Sequence, residues 1–502
     1  DSICETDERE QGKEDLEFAD GKGQWDKTIE KAREERPCLV LNRIDNHVNR
    51  IAGEQLMNRM NIKVIPVDDK ADPDTAKIKE GLIRNIEYES IASRIYHMGY
   101  KGALISGRGA WRINKDYVNN ETWDQELGLE LIENPYTVYL DSVNQLNPNH
   151  IFITSNIPIE EYNRKYKDTK KIFATDSEFN EAAVGDFKEW IQDDERRIAE
   201  YFWKEVTSDG FLYLVKNRAG MKTTRDMPKN KRIEKKREIF KSEIWHIVLS
   251  SDAVLEKPIK WDGDSIPVVM VWGKEINIDG QRKIHGMVYN VKDSQRAYNY
   301  ERSAWVETVA LAPKEHWLVT EFMVNGHETQ WSDAQKGKKL KYLTYNIDPN
   351  VPDGGRPVRI SPSAVPVGLE RSAAFSAQEI KDIDGVHETS LGERSNETSG
   401  IAIENRSIQS GISNYVYTSN LILAMRQTGQ KLLNLIPKTY DTKRTIRITG
   451  IDDKEVIAKI NQRKGADMTK GRYDCRISAG PAFATQRLEA VEQINKFYQV
   501  AP

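Results

Sequence analysis

The stretch 289–436 constrains the fold of this chain more than any other part, because its elements come in an unusual order. A helix is expected over about 291–312, stopped by Pro313. A strand-and-turn excursion then occupies 316–360, with Trp317-Leu318-Val319, Asn325-Gly326, a strand over 340–345 and the turn Pro352-Asp353-Gly354-Gly355. A second helix returns over about 367–384, and a polar loop covers 387–400. A long helix over 401–435 follows, its apolar set Ile408, Ile412, Tyr415, Val416, Leu421, Ile422, Met425, Leu432 and Leu433. The two helices flanking the excursion carry too few large apolar residues for an ordinary core. Ala373, Ala374, Ser376 and Ala377 stand where Leu would be expected. Helices of that kind bury area against neighbours in a ring.

Upstream, residues 1–36 are charged, have little to bury before Trp25, and read as a helical or loosely attached arm. Order begins at Pro37-Cys38-Leu39-Val40-Leu41-Asn42, and Ile44, Val48, Ile51, Ala52, Gln55 and Leu56 place an apolar stripe on one helix face. Ile62 to Val67 alternates like a strand; Asp72-Pro73-Asp74 then caps a helix that runs, with a break, to Leu104. Gly107-Arg108-Gly109 turns into a strand, with further short strands at 129–132, 138–140 and 151–154 and a helical fragment anchored by Trp190. From 198 to 286 the pattern is repeated short strands, with Asp279-Gly280 a tight-turn signal. This is a mixed region of helices and strands without a regular βαβ series.

At 502 residues the chain can bury a sizeable core in several parts without disulfides or metals. Its 74 Lys and Arg against 78 Asp and Glu exclude a dedicated basic DNA-coating protein, but not one that surrounds DNA without gripping it. The longest apolar stretch, 266–272, is far below the ~20 residues of a membrane span, so no membrane partner is expected. The acidic N-terminus is unlike a secretory leader. Cys4, Cys38 and Cys475 form no metal or redox pair, which suits a reducing cytoplasm. The absent initiator Met and an end inside the helical-looking stretch 486–498 suggest that a longer chain has lost both ends.

Catalytic patterns do not emerge. No G-x-S-x-G occurs, and the eight histidines show no recognisable spacing with Ser or Cys. Gly107-Arg108-Gly109 lacks what a phosphate loop requires and reads as a tight turn. Asp68, Asp69, Asp72 and Asp74 read as caps and solvated surface, and His327-Glu328 makes a poor metal pair. The run 229–241 holds seven basic residues against two acids and reads as a solvated hairpin face that could touch nucleic acid. A second cluster, Lys336, Lys338, Lys339 and Lys341 beside Trp331, suits either a partner contact or a solvated turn. Segment 364–400 has seven acids against three bases; facing DNA, it would repel phosphates and let a duplex slide.

Several stretches together resemble the portal proteins of tailed double-stranded DNA bacteriophages, the short-tailed branch in particular. They are Arg36-Pro37-Cys38-Leu39-Val40-Leu41-Asn42 leading to Gly53-Glu54-Gln55 and Ile62-Lys63-Val64, Gly109-Ala110-Trp111-Arg112 and Asp293-Ser294-Gln295-Arg296. Asn396-Glu397-Thr398-Ser399-Gly400, Gly471-Arg472-Tyr473-Asp474-Cys475 and Gly480-Pro481-Ala482-Phe483 complete the set. The resemblance covers about 25–495 and implies an α+β fold of portal architecture. It implies an N-terminal arm at 1–24, an α/β wing at 25–288, stem helices at 289–314 and 364–386 and a small β-containing clip at 315–363. A channel loop at 387–400, a long wing helix at 401–435, a wing return at 436–485 and the start of a crown at 486–502 would follow.

By that resemblance the chain is a non-catalytic conduit without cofactors, closing as a dodecameric ring at one capsid vertex and assembled in the host cytoplasm. Double-stranded DNA would pass without sequence specificity along Glu388, Ser390, Glu393, Arg394, Asn396 and Glu397. The terminase motor and then the tail adaptor would dock on clip residues Trp331, Lys336, Lys338, Lys339, Lys341 and Asp353, with scaffold and coat proteins at the wing. The competing reading, a multidomain nucleic-acid enzyme with a dispersed active site, would require titratable groups converging in a pocket.

Overall fold

A computed structural model describes residues 2–57, 60–69, 71–141, 144, 147–167, 190, 194–217, 220–225, 233–251, 253–311, 316–336, 338–350, 355–360, 367–385, 400–449, 455–461 and 467–479. The packing divides the chain into two compact units. One comprises Asp1–Asp20, Ile44–Asn290 and Asp384–Pro502, the other Gly21–Arg43 and Val291–Ile383.

In chain order the elements begin with α1 (Ser2–Ala19), α2 (Lys27–Ala32), α3 (Ile44–Met57), β1 (Met60–Pro66), α4 (Pro73–Glu89), α5 (Ala92–Ser106), β2 (Arg108–Tyr117) and β3 (Gln125–Leu131). Next come β4 (Val138–Leu140), β5 (His150–Pro158), α6 (Ile159–Lys165), β6 (Glu195–Asn217), β7 (Gly220–Thr224), β8 (Ile233–Ser250), β9 (Ile259–Trp261) and β10 (Val268–Trp272). They continue with β11 (Lys274–Ile278), β12 (Gln281–His285), α7 (Val288–Leu311), β13 (His316–Leu318), α8 (Glu321–Val324), α9 (Glu328–Gln335), β14 (Val358–Ile360) and α10 (Val367–Asp384). Last are α11 (Gly400–Thr439), β15 (Thr445–Thr449), β16 (Glu455–Lys459) and β17 (Tyr473–Ala479). Helix and sheet are mixed, as an α+β chain requires, and among the described residues no helix is long and apolar enough to cross a membrane.

Local chemistry sets the boundaries in the larger unit. Asp72 accepts the Thr75 N–H at 2.9 Å and starts α4. Ile91, left-handed at φ 51°, separates α4 from α5 at the expected break, and Gly107 at φ 88° turns α5 into β2. Gly109 then lets β2 lie against α5, because a Cβ there would collide with the Gly99 carbonyl oxygen. Sheet β10-β2-β3 and the six-stranded sheet β4-β5-β6-β8-β9, with β7 beside β6, share the main core of Val138, Leu140, Ile151, Phe202, Ile244, Val268, Met270 and Trp272. Arg112 of β2 ties them, reaching Glu130 of β3 at 2.6 Å and Glu200 of β6 at 2.9 Å. Burial opposes ionisation of Glu200, but His246 and Arg112 outweigh it and hold its carboxyl below the usual range. Helix α11 buries Tyr417, Leu421, Ala424, Met425, Leu432, Leu433 and Ile436.

The structure corrects three expectations. The short strands expected between 198 and 250 are two long ones, β6 and β8, because the ladder takes a bulge at Ser208/Phe211 with Gly210 at φ 85° instead of ending there. On β8, Lys235, Lys236, Arg237 and Lys241 are exposed, as a solvated face requires; Lys229, Lys231 and Arg232 lie outside the described residues. Of the two readings of the arm, the helical one holds in α1 and the loose one does not, since Phe18 is fully buried, Asp15 is 1% exposed and Arg9 donates to the Val138 carbonyl at 2.8 Å while lying over the Tyr139 ring. Its anchors are mostly polar, so hydrophobic periodicity could not report them. Segment 340–345 is not a strand, and the excursion 316–360 carries helices α8 and α9 beside the short β13–β14 pair. Residues 21–43 group with Val291–Ile383 in the smaller unit. The fragment around Trp190 falls, apart from Trp190 itself, outside the described residues.

Candidate functional site

In the smaller unit, Gln295, Asn299, Ser303 and Glu307 recur every four residues along one face of α7. The first three are fully buried. Gln295 Oε1 accepts the Arg43 N–H at 3.2 Å, Asn299 Oδ1 that of Leu41 at 3.0 Å and Ser303 Oγ that of Leu39 at 2.9 Å. Gln295 Nε2 donates back to the Leu41 carbonyl at 2.9 Å. Four helical residues rise about 6 Å, close to the advance of two extended residues, so the ladder meets alternate N–H groups in register. Glu307 ends it by pairing with Arg33 at 2.7 Å and Arg36 at 3.6 Å. Residues 21–43 are thus strapped to α7 by polar groups. The sequence signal was the four-residue polar spacing, which a search for apolar periodicity passes over.

On α10 the buried positions before the terminal Asp384 are Ala373, Ser376 and Ile380, a stripe of mostly small residues. Glu301 of α7 accepts hydrogen bonds from Ser372 and, at 2.9 Å, from Ser376, so polar contacts also join the two helices. Large apolar residues are left uncovered on both: Phe375 is 70% exposed and Ile383, Tyr300 and Val309 are more than 40% exposed.

The excursion between these helices is organised around Trp331. Its indole meets Trp317 edge-on at 5.5 Å and donates to the Thr344 carbonyl at 2.8 Å. Asn346 Nδ2 donates to the Asn325 carbonyl at 2.7 Å, and Thr320 Oγ1 to Asp348 at 2.7 Å. The Thr320 hydroxyl and the Asn350 N–H, at 3.0 Å, hold the Asp348 carboxyl below the usual range. Trp331 is therefore interior, 8% exposed, which differs from the surface role expected of it. Lys336, Lys338, Lys339 and Lys341 are all exposed, and so are Leu318, Phe322, Tyr342, Ile347 and Val358. The result is a basic and apolar surface; Asp353 lies outside the described residues.

The expected loop residues Glu388, Ser390, Glu393, Arg394, Asn396 and Glu397 also lie outside the described residues. Its root belongs to the larger unit. Asp384, the last residue of α10, meets His47 of α3 at 2.7 Å with both side chains buried, and the Asn414 amide donates to the Asp384 carbonyl at 3.3 Å. Burial pushes the Asp384 carboxyl up, against the pull of His47. The loop thus leaves from a fixed point, which the sequence did not disclose because His47 and Asp384 are 337 positions apart.

The phage P22-like portal protein family matches residues 1–502. A portal protein of Acyrthosiphon pisum secondary endosymbiont phage 1 is 22% identical over 509 aligned residues, which cover 93% of this chain and 69% of that relative.

Proposed function

The chain belongs to the phage P22-like portal protein family, and from that premise we infer that it forms the ring-shaped channel at one capsid vertex through which viral double-stranded DNA is packaged and ejected. The family is structural and not catalytic, and no finding supports the nucleic-acid enzyme. The observation that carries the reading is the α7–α10 pair. Its polar junction and small-residue stripe leave Phe375 70% exposed, which favours helices completed by neighbouring copies.

In this reading twelve copies close the ring. Residues 289–314 and 364–386 serve as stem, 315–363 as clip, 25–288 as wing, 401–435 as the long wing helix and 387–400 as the loop facing DNA. The acidic balance of 364–400 suits passage without sequence-specific grip. The exposed Lys336, Lys338, Lys339 and Lys341, with Asp353, form the docking face for terminase and later the tail adaptor. Trp331 supports that face from within. Scaffold and coat proteins meet the wing, during assembly in the host cytoplasm.

Native mass and electron-microscope projections of the purified chain test this. Twelve copies of 57.6 kDa give about 690 kDa and a closed ring with a central hole. A compact monomer that cleaves or modifies DNA would overturn the assignment. Replacing Glu393 and Arg394 by Ala is expected to leave the ring intact and alter packaging or DNA retention; loss of the ring would show that the loop is structural.

A further inference from the structure

Lysines are almost never fully buried unless paired. Lys79, on α4, is 2% exposed, and its ammonium lies 4.2 Å from the centroid of the Tyr473 ring. The ring is fixed in turn, since its hydroxyl accepts the Asp72 N–H at 3.2 Å. Among the described residues no carboxylate pairs with Lys79. Asp467 attracts it only from a distance and is itself held by Lys470 at 2.8 Å. Burial brings the Lys79 ammonium down to about 8.

Lys79 lines a cavity of about 460 Å³ between α4, the end of α11 and the approach to β17, within the range of ligand sites. Leu433 and Met468 give it apolar wall, and Arg472 stands on it with an exposed side chain that makes no ion pair among the described residues. The carboxylate on the wall, Asp474, is already engaged. Gln430 at 3.0 Å, the Cys475 N–H at 2.8 Å and Arg426 at 3.3 Å hold it below the usual carboxylate range. Two cations with no counter-ion among the described residues therefore share a cavity whose acid is neutralised within the fold. An isolated buried ammonium is costly, and a bound anion would relieve that cost.

We propose that this cavity binds an oxyanion, a phosphate or a carboxylate on a short stem, with Lys79 as the buried counter-charge and Arg472 as the clamp at the rim. Arg suits the clamp because its planar fork matches either oxyanion. None of the described residues lining the cavity belongs to 387–400, and its test does not depend on ring formation.

Calorimetric titration of the full chain with inorganic phosphate, and separately with glutarate, reads the site directly. At least one probe is expected to bind, about tenfold more weakly to Lys79→Met and several-fold more weakly to Arg472→Ser. Phosphate binding points to a phosphorylated small molecule, and glutarate binding alone points to an acidic protein side chain. Should Lys79→Met fail to fold, the wild-type chain still reports: reductive methylation of Lys79, followed by peptide mass spectrometry, should slow when the probe is bound. Absence of binding by both probes, binding unchanged by either substitution, or methylation of Lys79 at the same rate with and without probe would each overturn the proposal.

Discussion

Replacing Glu87 by Gln changes one charge where α4 packs against α5. Glu87 Oε1 accepts the Tyr96 hydroxyl at 2.9 Å, and Tyr96, 5% exposed, packs on Trp111 with ring centroids 5.1 Å apart. Burial raises the Glu87 carboxyl from 4.5 to about 7, against the hydrogen bond from Tyr96 and the charge of Arg84. The folded chain therefore keeps a proton that the unfolded chain releases. For an acid raised in this way the stabilisation is complete below pH 4.5 and is lost as pH climbs to about 7. Each unit is worth about 1.4 kcal/mol, so the loss across the window is about 3 kcal/mol. Gln keeps an acceptor for Tyr96 and cannot ionise. The Glu87→Gln chain should match wild type at pH 4.5, exceed it by up to about 3 kcal/mol at pH 8, and melt several degrees higher there. Tryptophan-fluorescence melts of both chains across this range give the difference, in which other titrating groups cancel. Parallel pH profiles, or a Gln variant less stable at pH 8, would refute the argument.

Thr428→Val keeps the shape of its site but removes the acceptor, at 2.9 Å, of the buried Trp111 indole N–H, and is expected to cost about 1–3 kcal/mol in a denaturant titration. A cost near zero would mean that the indole finds another acceptor. Gly109→Ala places a methyl group on the Gly99 carbonyl where β2 meets α5, and should abolish soluble folded protein; a yield and melting curve like wild type would contradict the close approach. Lys338→Glu with Lys339→Glu changes only exposed side chains. It should leave the melting temperature within a degree or two while weakening, in a pull-down, the terminase binding proposed for this face, and unchanged binding would remove these lysines from the proposal.

Much of the local structure was legible because its causes are local. The Asp72 cap starts α4, and Asp279 and Gly280, at φ 50° and 85°, make the tight turn between β11 and β12. The small residues of α10 announced a helix that could not serve an ordinary core. Where one signal had two outcomes, context decided. Repeated short strands were expected from 198 onward, and the partner ladder carried two of them through Ser208 and Phe211 as one bulged strand. The stripe on α3 buries Ile44, Val48, Ile51 and Ala52 but leaves Leu56 exposed, since periodicity marks a face without saying how far the neighbour extends.

By itself, then, the sequence determined the elements whose instructions lie within a few residues: caps, turns, apolar periods and the slender helices that, with the scattered motifs, point to a portal. Only the tertiary structure decided what depends on partners far along the chain. Arg33, Leu39, Leu41 and Arg43 meet a polar ladder more than 250 positions away, His47 secures the root of the loop, Trp331 turns inward, and Lys79 is buried with no counter-ion among the described residues. The physical reason is that a polar side chain has no preferred burial of its own. It goes inside only when the fold brings it a partner, or a cavity in which a partner can sit.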